Sequence, residues 1–412
     1  MAPTTPPPAP SLTPADPAET GPRSRWSEPI VGLQPVLLEI RHDLHRHPEL
    51  GFEEHRTQKL VRNWLERWGY APRASAETGL VADLRPGHPG PTIALRADLD
   101  CLPMDEHTPL PYRSVHAGRA HKCGHDGHTT MLMGVAAILA EHREQVPGNV
   151  RLLFQPAEEG VRGGGARVMV EEGVLDGVRE VYGLHNWPGY PYGEIRVRAG
   201  AMMAQTHGLR IDIVGVGGHG SQPQHCRDPI VAGAHLVTAL QTVVSRGLGS
   251  DGGAVVSICQ FHAGSTNNVI PGHASLTGTI RSFDPAVSTR VLERIREIAD
   301  GIARTFGVEI DLALDHGYPV LVNDAACAAA VERVARRVGG RVSARELPMA
   351  GAEDFAYLAQ ACPGAYFFVG TGAEDLSTPG CHHPDFDFDD SIMPLGMEML
   401  LGLVEDRLYA NA

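Results

Sequence analysis

Basic residues are scarce in this 412-residue chain, because 35 Lys and Arg stand against 49 Asp and Glu and the formal net charge is −14. Phosphate backbones and anionic membrane surfaces are bound by clustered cations, so the charge balance argues against nucleic acid and membrane as partners. Long apolar runs are also missing. The longest after the N-terminus, residues 131–140, is too short to cross a bilayer and predicts a buried helix. We find no signal-peptide pattern and expect a cytoplasmic protein.

Cysteine is sparse as well, with seven residues in an odd and scattered set. Such a set is not a disulfide framework, and we interpret all of them except Cys123 as small buried side chains. Two common catalytic motifs are absent. The Gly-rich stretch 160–165 lacks the Gly-Lys-Ser/Thr ending of a P-loop, so it predicts close packing at a helix start. Residues 264–266 do not form the Gly-x-Ser-x-Gly motif of serine hydrolases.

What the sequence does contain is a regular alternation of helical and strand patterns, which predicts an α/β fold with a sheet covered by helices. The length predicts two domains of unequal size. We interpret residues 1–32 as a disordered Pro-rich extension, and residues 33–203 and 317–412 as two parts of a catalytic domain. Residues 204–316 show the order βαββαβ, which predicts an inserted ferredoxin-like domain.

Residues of the types that bind metal ions occur in four separate blocks. They are Cys123 with His125, Glu159, His185, and His382 with His383. A thiolate, imidazoles and a carboxylate suit zinc, manganese, cobalt or nickel, whereas calcium and magnesium favour oxygen ligands. With 21 His in the chain, a Cys-x-His pair can arise by chance. The prediction of a metal site therefore depends on the four blocks together, at loop positions after predicted strands.

Glu158 and Glu159 are adjacent carboxylates at the end of the apolar run 150–154. Neighbouring side chains on an extended segment point to opposite sides, so one can bind a metal while the other stays free. A free carboxylate beside metal-activated water can act as a general base in amide hydrolysis. The alternative is a solvated acidic pair at the start of a helix.

Three polar side chains of the inserted domain are candidates for substrate binding. Arg281 can hold a substrate carboxylate through two parallel hydrogen bonds. His219 and Asn268 can stabilise the oxyanion of a tetrahedral intermediate. The alternative for each is a turn or capping residue, and the pattern alone favours neither interpretation.

Six motifs together resemble the co-catalytic metallopeptidase family of aminoacylase and carboxypeptidase G. Within it, the chain is most similar to the amidohydrolase branch of hippurate hydrolase and the plant auxin-conjugate hydrolases. The resemblance runs from about residue 33 to 410. The motifs are residues 41–52, 94–103, 121–128, 155–160, 183–188 and 351–355.

The resemblance implies a mixed-sheet, metallopeptidase-like catalytic domain that holds two divalent metal ions, with Glu158 as the base. Zinc or manganese is the expected metal, and cobalt or nickel also fits. Asp100 matches the carboxylate that orients the ligands. The family's C-terminal ligand lies in a His-x-Pro sequence, which selects His382 over His383. The implied metal ligands are Cys123, His125, Glu159, His185 and His382.

The resemblance also implies a lid and dimerisation role for the inserted domain. His219, Asn268 and Arg281 match residues that approach the substrate, His219 from the partner subunit, so we expect a homodimer or a tetramer. The expected reaction is cleavage of a small N-acyl amino acid to a carboxylic acid and a free amino acid. A dipeptidase, a carboxypeptidase or a biosynthetic N-deacetylase is the first alternative, and a non-catalytic ligand-binding relative is the second.

Three positions depart from the family pattern. Pro223-Gln224-His225 displaces a usual Pro-His by one residue, Cys101 replaces a usual Ala, and Lys122 replaces the Ala of a usual His-Ala-Cys. None of the departures removes an implied ligand or the base.

Overall fold

The computed structural model describes residues 24–87, 90–249, 252–372 and 378–409. The helices are α1 Ser27–Arg46, α2 His55–Arg67, α3 His125–Glu141, α4 Gly165–Glu171, α5 Pro229–Ser245, α6 Pro285–Phe306, α7 Ala325–Arg337, α8 Phe355–Ala361 and α9 Met393–Leu408. The strands are β1 Arg73–Ser75, β2 Gly79–Leu84, β3 Thr92–Asp98, β4 Asn149–Gln155, β5 Val178–Pro191, β6 Glu194–Arg196, β7 Gly200–Met203, β8 Gln205–Val214, β9 Gly218–His219, β10 Ala254–Ala263, β11 Val269–Ile270, β12 His273–Ser282, β13 Glu309–His316, β14 Leu321–Asn323, β15 Arg341–Ser343 and β16 Gly364–Gly372.

An eight-stranded mixed sheet forms the larger part of the molecule, in the order β1-β2-β4-β3-β5-β16-β6-β15. The four central strands β4, β3, β5 and β16 are parallel to one another. Parallel strands are covered by helices on both faces, and their side chains are accordingly apolar and buried. One apolar core lies between the sheet and helices α1, α3, α7 and α9, and a second lies on the opposite face under α4 and α8. The prediction of an α/β fold with a mixed sheet is confirmed.

Helix α3 begins at the metal-ligand motif and continues into the core. Its residues from His125 to Leu139 are all buried, which confirms the prediction of a buried helix over residues 131–140. Gly124 precedes it in the left-handed conformation, with φ of 99°. A Cβ at this position would lie 2.1 Å from Oδ1 of Asn186, so both the backbone angle and the close approach require glycine here.

Residues 205–316 contain a separate four-stranded antiparallel sheet in the order β10-β12-β8-β13. Helices α5 and α6 cover one face and share their own apolar core with the sheet. The order along the chain is β8-α5-β10-β12-α6-β13, with the short pair β9 and β11 beside it. We call residues 205–316 the inserted unit. Its roles as a lid and in dimerisation remain predictions.

The N-terminal prediction needs a correction. Residues 1–23 lie outside the described residues, but α1 already begins at Ser27, within the stretch 1–32 that we predicted to be disordered. Trp26 and Ile30 are buried and pack with Leu37 in the first core. Composition misled the prediction, because three apolar side chains at helical spacing are enough to dock this segment. No helix in the described part of the chain has both the length and the apolar character needed to cross a membrane.

Candidate metal and catalytic site

A cavity of about 550 Å³ lies between the inserted unit and the edge of the large sheet where the parallel strands end. Asp98 is the last residue of β3 and Gln155 the last residue of β4, so the loops that follow them begin at this edge. Ligand sites of α/β folds collect in this position because the carboxyl ends of neighbouring parallel strands meet there. The cavity walls include Cys123, Glu158 and Glu159.

His185 does not lie in a loop as we predicted. Strand β5 continues to Pro191, and His185 is paired with Phe368 of β16 within the sheet. The Pro at position 188 suggested a strand end, but pairing with β16 extends to Pro191. His185 is therefore held by a continuous strand, which fixes the ring more firmly than a loop does.

The five predicted ligands come together at the cavity floor. Sγ of Cys123 lies 3.2 Å from Nε2 of His185, and Nε2 of His382 lies 3.4 Å from Oε1 of Glu159. Nε2 of His125 lies 3.9 Å from the same oxygen of Glu159. Two donor groups result, and they share the thiol: Cys123 with His125 and His185, and Cys123 with Glu159 and His382.

Two buried atoms at this point fit a metal site. Among the residues that the structure describes, neither Nε2 of His125 nor Oε1 of Glu159 finds a hydrogen-bond partner. Leaving buried polar atoms unpaired is costly, and a cation would satisfy both. Nδ1 of His125 contacts the backbone oxygen of Asp100 at 3.0 Å, and Nδ1 of His185 contacts the backbone oxygen of Asn186 at 2.6 Å. Both rings are thereby oriented with Nε2 toward the other donors.

Asp100 connects two of the ligand-bearing segments. Its Oδ1 lies 3.3 Å from Nδ1 of His125, and its Oδ2 accepts a 3.0 Å hydrogen bond from the backbone N–H of Glu159. The side chain is almost fully buried, so these contacts are not exchanged for water. This geometry fits the predicted orienting role.

The two adjacent glutamates both approach His125 but differ in their other neighbours. Oε1 of Glu159 faces His382, whereas Glu158 points toward Glu353 and Asp354, with its Oε2 4.0 Å from Nε2 of His125. Burial raises the pKa of Glu158 well above its ordinary value, and the negative charge of Glu353 raises it further. Glu158 therefore combines a position beside the metal donors with a strong tendency to take up a proton.

Arg96 is a residue of this region whose role the sequence did not reveal. Its guanidinium is fully buried and donates to Gln155 at 2.7 Å, Asp98 at 2.7 Å, Glu353 at 2.9 Å and Asp354 at 3.0 Å. It thus joins the ends of β3 and β4 to the loop before α8. An arginine inside the otherwise apolar strand 92–98 was the available signal, but its partners lie up to 258 residues away.

The residues proposed from the inserted unit fall into two groups. Arg281 lines the cavity, and so do its strand neighbour Thr206 and Tyr318. His219 and Asn268 are not among the described residues that line it. Both are exposed: His219 lies in β9, and Asn268 directly precedes β11, where its backbone oxygen accepts a 2.8 Å hydrogen bond from the N–H of Gly220. Within one chain the structure does not bring these two side chains to the metal donors.

Comparison with protein families gives a match over most of the chain. The profile of peptidase family M20/M25/M40 matches residues 94–406. An N-acetylcysteine deacetylase of Bacillus subtilis (strain 168) is 39% identical over 365 residues, which cover 88% of this chain and 94% of that protein. IAA-amino acid hydrolase ILR1-like 4 of Arabidopsis thaliana is 37% identical over 375 residues, which cover 88% of this chain and 83% of that protein.

Solved structures agree with the sequence relatives. A putative aminohydrolase from methicillin-resistant Staphylococcus aureus superimposes with a TM-score of 0.84 at 34% identity and covers 93% of this chain and 98% of that one. The YXEP protein of Bacillus subtilis, described as a dinuclear metal-binding peptidase, has a TM-score of 0.80 at 35% identity. That match covers 92% of this chain and 99% of that one.

Proposed function

This chain belongs to peptidase family M20/M25/M40 and is a metal-dependent amidohydrolase, and from that premise we propose which residues carry out its reaction. The substrate is an N-acyl amino acid, and the products are a carboxylic acid and a free amino acid. The observation that carries the proposal is the convergence of five metal donors beside one further carboxylate, Glu158, which lies near His125 and also near Glu353 and Asp354. Two divalent cations are the expected cofactor.

Cys123, His125, Glu159, His185 and His382 hold the cations in this proposal. When bound, the cations polarise the amide carbonyl and make water a stronger acid. Glu158 takes the proton from the attacking water and passes it to the leaving nitrogen. Zinc or manganese fits the mixture of sulfur, nitrogen and oxygen donors.

The two walls of the cavity suggest how the substrate is oriented. Arg281 is the cationic side chain on the wall formed by the inserted unit, and we place the carboxylate of the amino acid there. The lining outside the inserted unit includes Trp187, Met203, Met349 and Phe368. An apolar acyl group fits against these side chains, since thioether and aromatic groups adapt to acyl groups of different shape.

His219 completes the oxyanion site from a partner subunit in our proposal. The observation behind it is that His219 is exposed and does not line the cavity of its own chain. A homodimer, or a tetramer built from such dimers, brings the residue to the second active site. A cytoplasmic location stays a prediction.

A substrate panel tests the proposed reaction. Protein reconstituted separately with zinc, manganese, cobalt and nickel is assayed with N-acetylcysteine, other N-acetyl amino acids, benzoylglycine and free dipeptides. We expect kcat/KM to be highest for an N-acyl amino acid with a free carboxylate, and to fall sharply when that carboxylate is amidated. Preference for free dipeptides would favour a peptidase, an alternative supported by a relative named thermostable carboxypeptidase 1, 36% identical over 371 residues.

A further inference from the structure

One proposed metal donor, His382, differs from the other four in its position relative to the helices and strands. Cys123 and His125 adjoin the start of α3, Glu159 follows β4 and His185 lies in β5. His382 instead lies between β16 and α9, in a described stretch, 378–389, that has neither helix nor strand. Its backbone has a φ of 67°, and its side chain is 54% exposed. A left-handed backbone outside glycine persists only when surrounding contacts hold it.

The contacts that hold this stretch come from the segment beside Cys123. The N–H of His382 donates to the backbone oxygen of Lys122 at 2.7 Å. Nζ of Lys122 in turn donates to the backbone oxygen of Phe386 at 2.8 Å. Lys122 therefore contacts the stretch at His382 itself and at Phe386, and ties it to the segment that carries another metal donor, Cys123.

The side chain of Lys122 is itself held by further polar contacts. Its side chain is fully buried, and Nζ also donates to Oε1 of Glu106 at 2.7 Å. Glu106 accepts a 2.7 Å hydrogen bond from the N–H of Ser114 and lies 3.1 Å from Nε2 of His45. Nδ1 of His45 contacts Asp126, the residue after donor His125, at 2.8 Å. A polar network behind the metal donors thus links the segment 122–126 to the His382 stretch.

Burying an ion pair is a poor way to gain stability. Removing charges from water costs several kcal/mol, and well-packed apolar side chains of similar volume often serve as well or better. What an apolar side chain cannot do is donate to the Phe386 carbonyl and so fix the direction of the stretch that carries His382. The burial of Lys122 is therefore better explained by the direction that it gives to the His382 stretch than by a gain in stability.

We propose that Lys122 is a positioning residue that fixes His382 for the cation shared by Cys123, Glu159 and His382. The proposal rests on the metal site proposed above. Contacts behind metal ligands typically change affinity by about 10- to 100-fold. We expect a change of this size for one of the two cations, because His125 and His185 have backbone contacts of their own.

The test compares Lys122→Met with Arg151→Met. Methionine keeps the length and apolar stem of lysine and removes its donors. Arg151 is a matched control, since it is also a largely buried cation that donates to a carboxylate, Asp83, and to a backbone oxygen, that of Val174. It lies outside the cavity. Zinc affinity is measured by competition with a chelator, and activity is measured against zinc concentration.

We expect Lys122→Met to bind one zinc ion with wild-type affinity and the second about 10- to 100-fold more weakly. Excess zinc should then restore kcat, with KM little changed. Arg151→Met should lower the melting temperature without changing either affinity. Lys122→Gln, which retains an N–H donor, should recover part of the lost affinity.

The proposal would be overturned if Lys122→Met bound both zinc ions with wild-type affinity, or if both affinities were weakened equally. If Lys122→Met does not fold, Lys122→Ala, which also removes the donor, takes its place, and two wild-type affinities in Lys122→Ala would overturn the proposal. Wild-type protein that binds no zinc would contradict the metal site itself, so the two failures are distinguishable.

Discussion

The large domain and the inserted unit differ in how many of their proposed site residues they bring together at the cavity. On the large-domain side, five donors converge, and the rings of His125 and His185 are oriented by backbone oxygens. On the inserted side, Arg281 lines the cavity, but the exposed residues His219, in β9, and Asn268, directly before β11, are not among the described residues that line it. The comparison indicates that the proposed metal donors come together within one chain, whereas in our proposal a partner subunit completes the substrate side.

The largest effect is expected from Cys123→Ser, which removes the donor shared by both groups. Serine keeps the shape but is a much weaker ligand for a borderline metal, so we expect loss of at least one cation and of detectable turnover. Metal analysis of the purified variant checks this. Cys327→Ser is a suitable control, because Cys327 is also buried but lies in α7, outside the cavity.

Glu158→Gln should separate chemistry from metal binding. Because Glu158 is not one of the five proposed donors, the variant should retain its metal, while loss of the general base should lower kcat by about 10²- to 10⁴-fold. Single-turnover rates and metal content are measured on the same sample. Wild-type turnover in the metal-loaded variant contradicts the assignment of the base.

His219→Ala tests whether the inserted side is completed by a partner. Removing one donor to the oxyanion typically lowers kcat by about 10²- to 10³-fold. Mixing this variant with Glu158→Gln and allowing subunits to exchange should restore activity, because one site of the mixed dimer then has both residues. Random pairing gives about a quarter of wild-type activity. Absence of recovery, with mixed dimers shown to form, means that His219 does not act across the interface.

Arg281→Met should affect substrate binding more than chemistry. A charge-assisted hydrogen bond contributes about 1.5–3 kcal/mol, so we expect KM for a carboxylate substrate to rise by about 10- to 100-fold. The amidated form of the same substrate is the control, since it offers no carboxylate to the guanidinium. Equal effects on both forms would place the substrate carboxylate elsewhere.

The smallest effect on activity is expected from changing Glu54, which contacts the loop before Glu158. Burial, with the charge of Asp100, raises the pKa of Glu54 to about 8, and its Oε1 accepts the N–H of Ala157 in the loop before Glu158. A carboxyl with a raised pKa in the folded state contributes stability that is complete below its unfolded pKa and is lost as pH rises toward 8. The free energy of unfolding of the wild-type protein should therefore fall by on the order of 3 kcal/mol between about pH 5 and 8, and Glu54→Gln should remove this decrease. Urea unfolding at several pH values measures this, and an unchanged pH dependence contradicts it.

Local patterns predicted much of the fold. The patterns of residues 204–316 predict the order βαββαβ, and the structure has β8-α5-β10-β12-α6-β13 there. These elements are amphipathic and face one core, so their periodicity is visible in the chain. The full length of β5 and the start of α1 were not predicted, because pairing with β16 and docking of Trp26 depend on distant residues.

Residue type and spacing predicted the candidate donors but not what surrounds them. The residue pattern left His382 and His383 open, and the family resemblance selected His382. In the structure His382 faces Glu159, whereas Nδ1 of His383 accepts the N–H of Asp385 at 3.1 Å. The burial and the partners of Arg96 and Lys122 could not be predicted from the neighbouring sequence. A charged side chain is ordinarily exposed, and most of the partners of these two are far away in the chain.

Diffraction at the absorption edge of a bound metal tests the central claim most directly. Crystals of wild-type protein grown with zinc should show two anomalous peaks, one beside Cys123, His125 and His185, and the other beside Cys123, Glu159 and His382, with Glu158 outside both coordination shells. A single peak, no peak, or direct coordination by Glu158 would contradict the account.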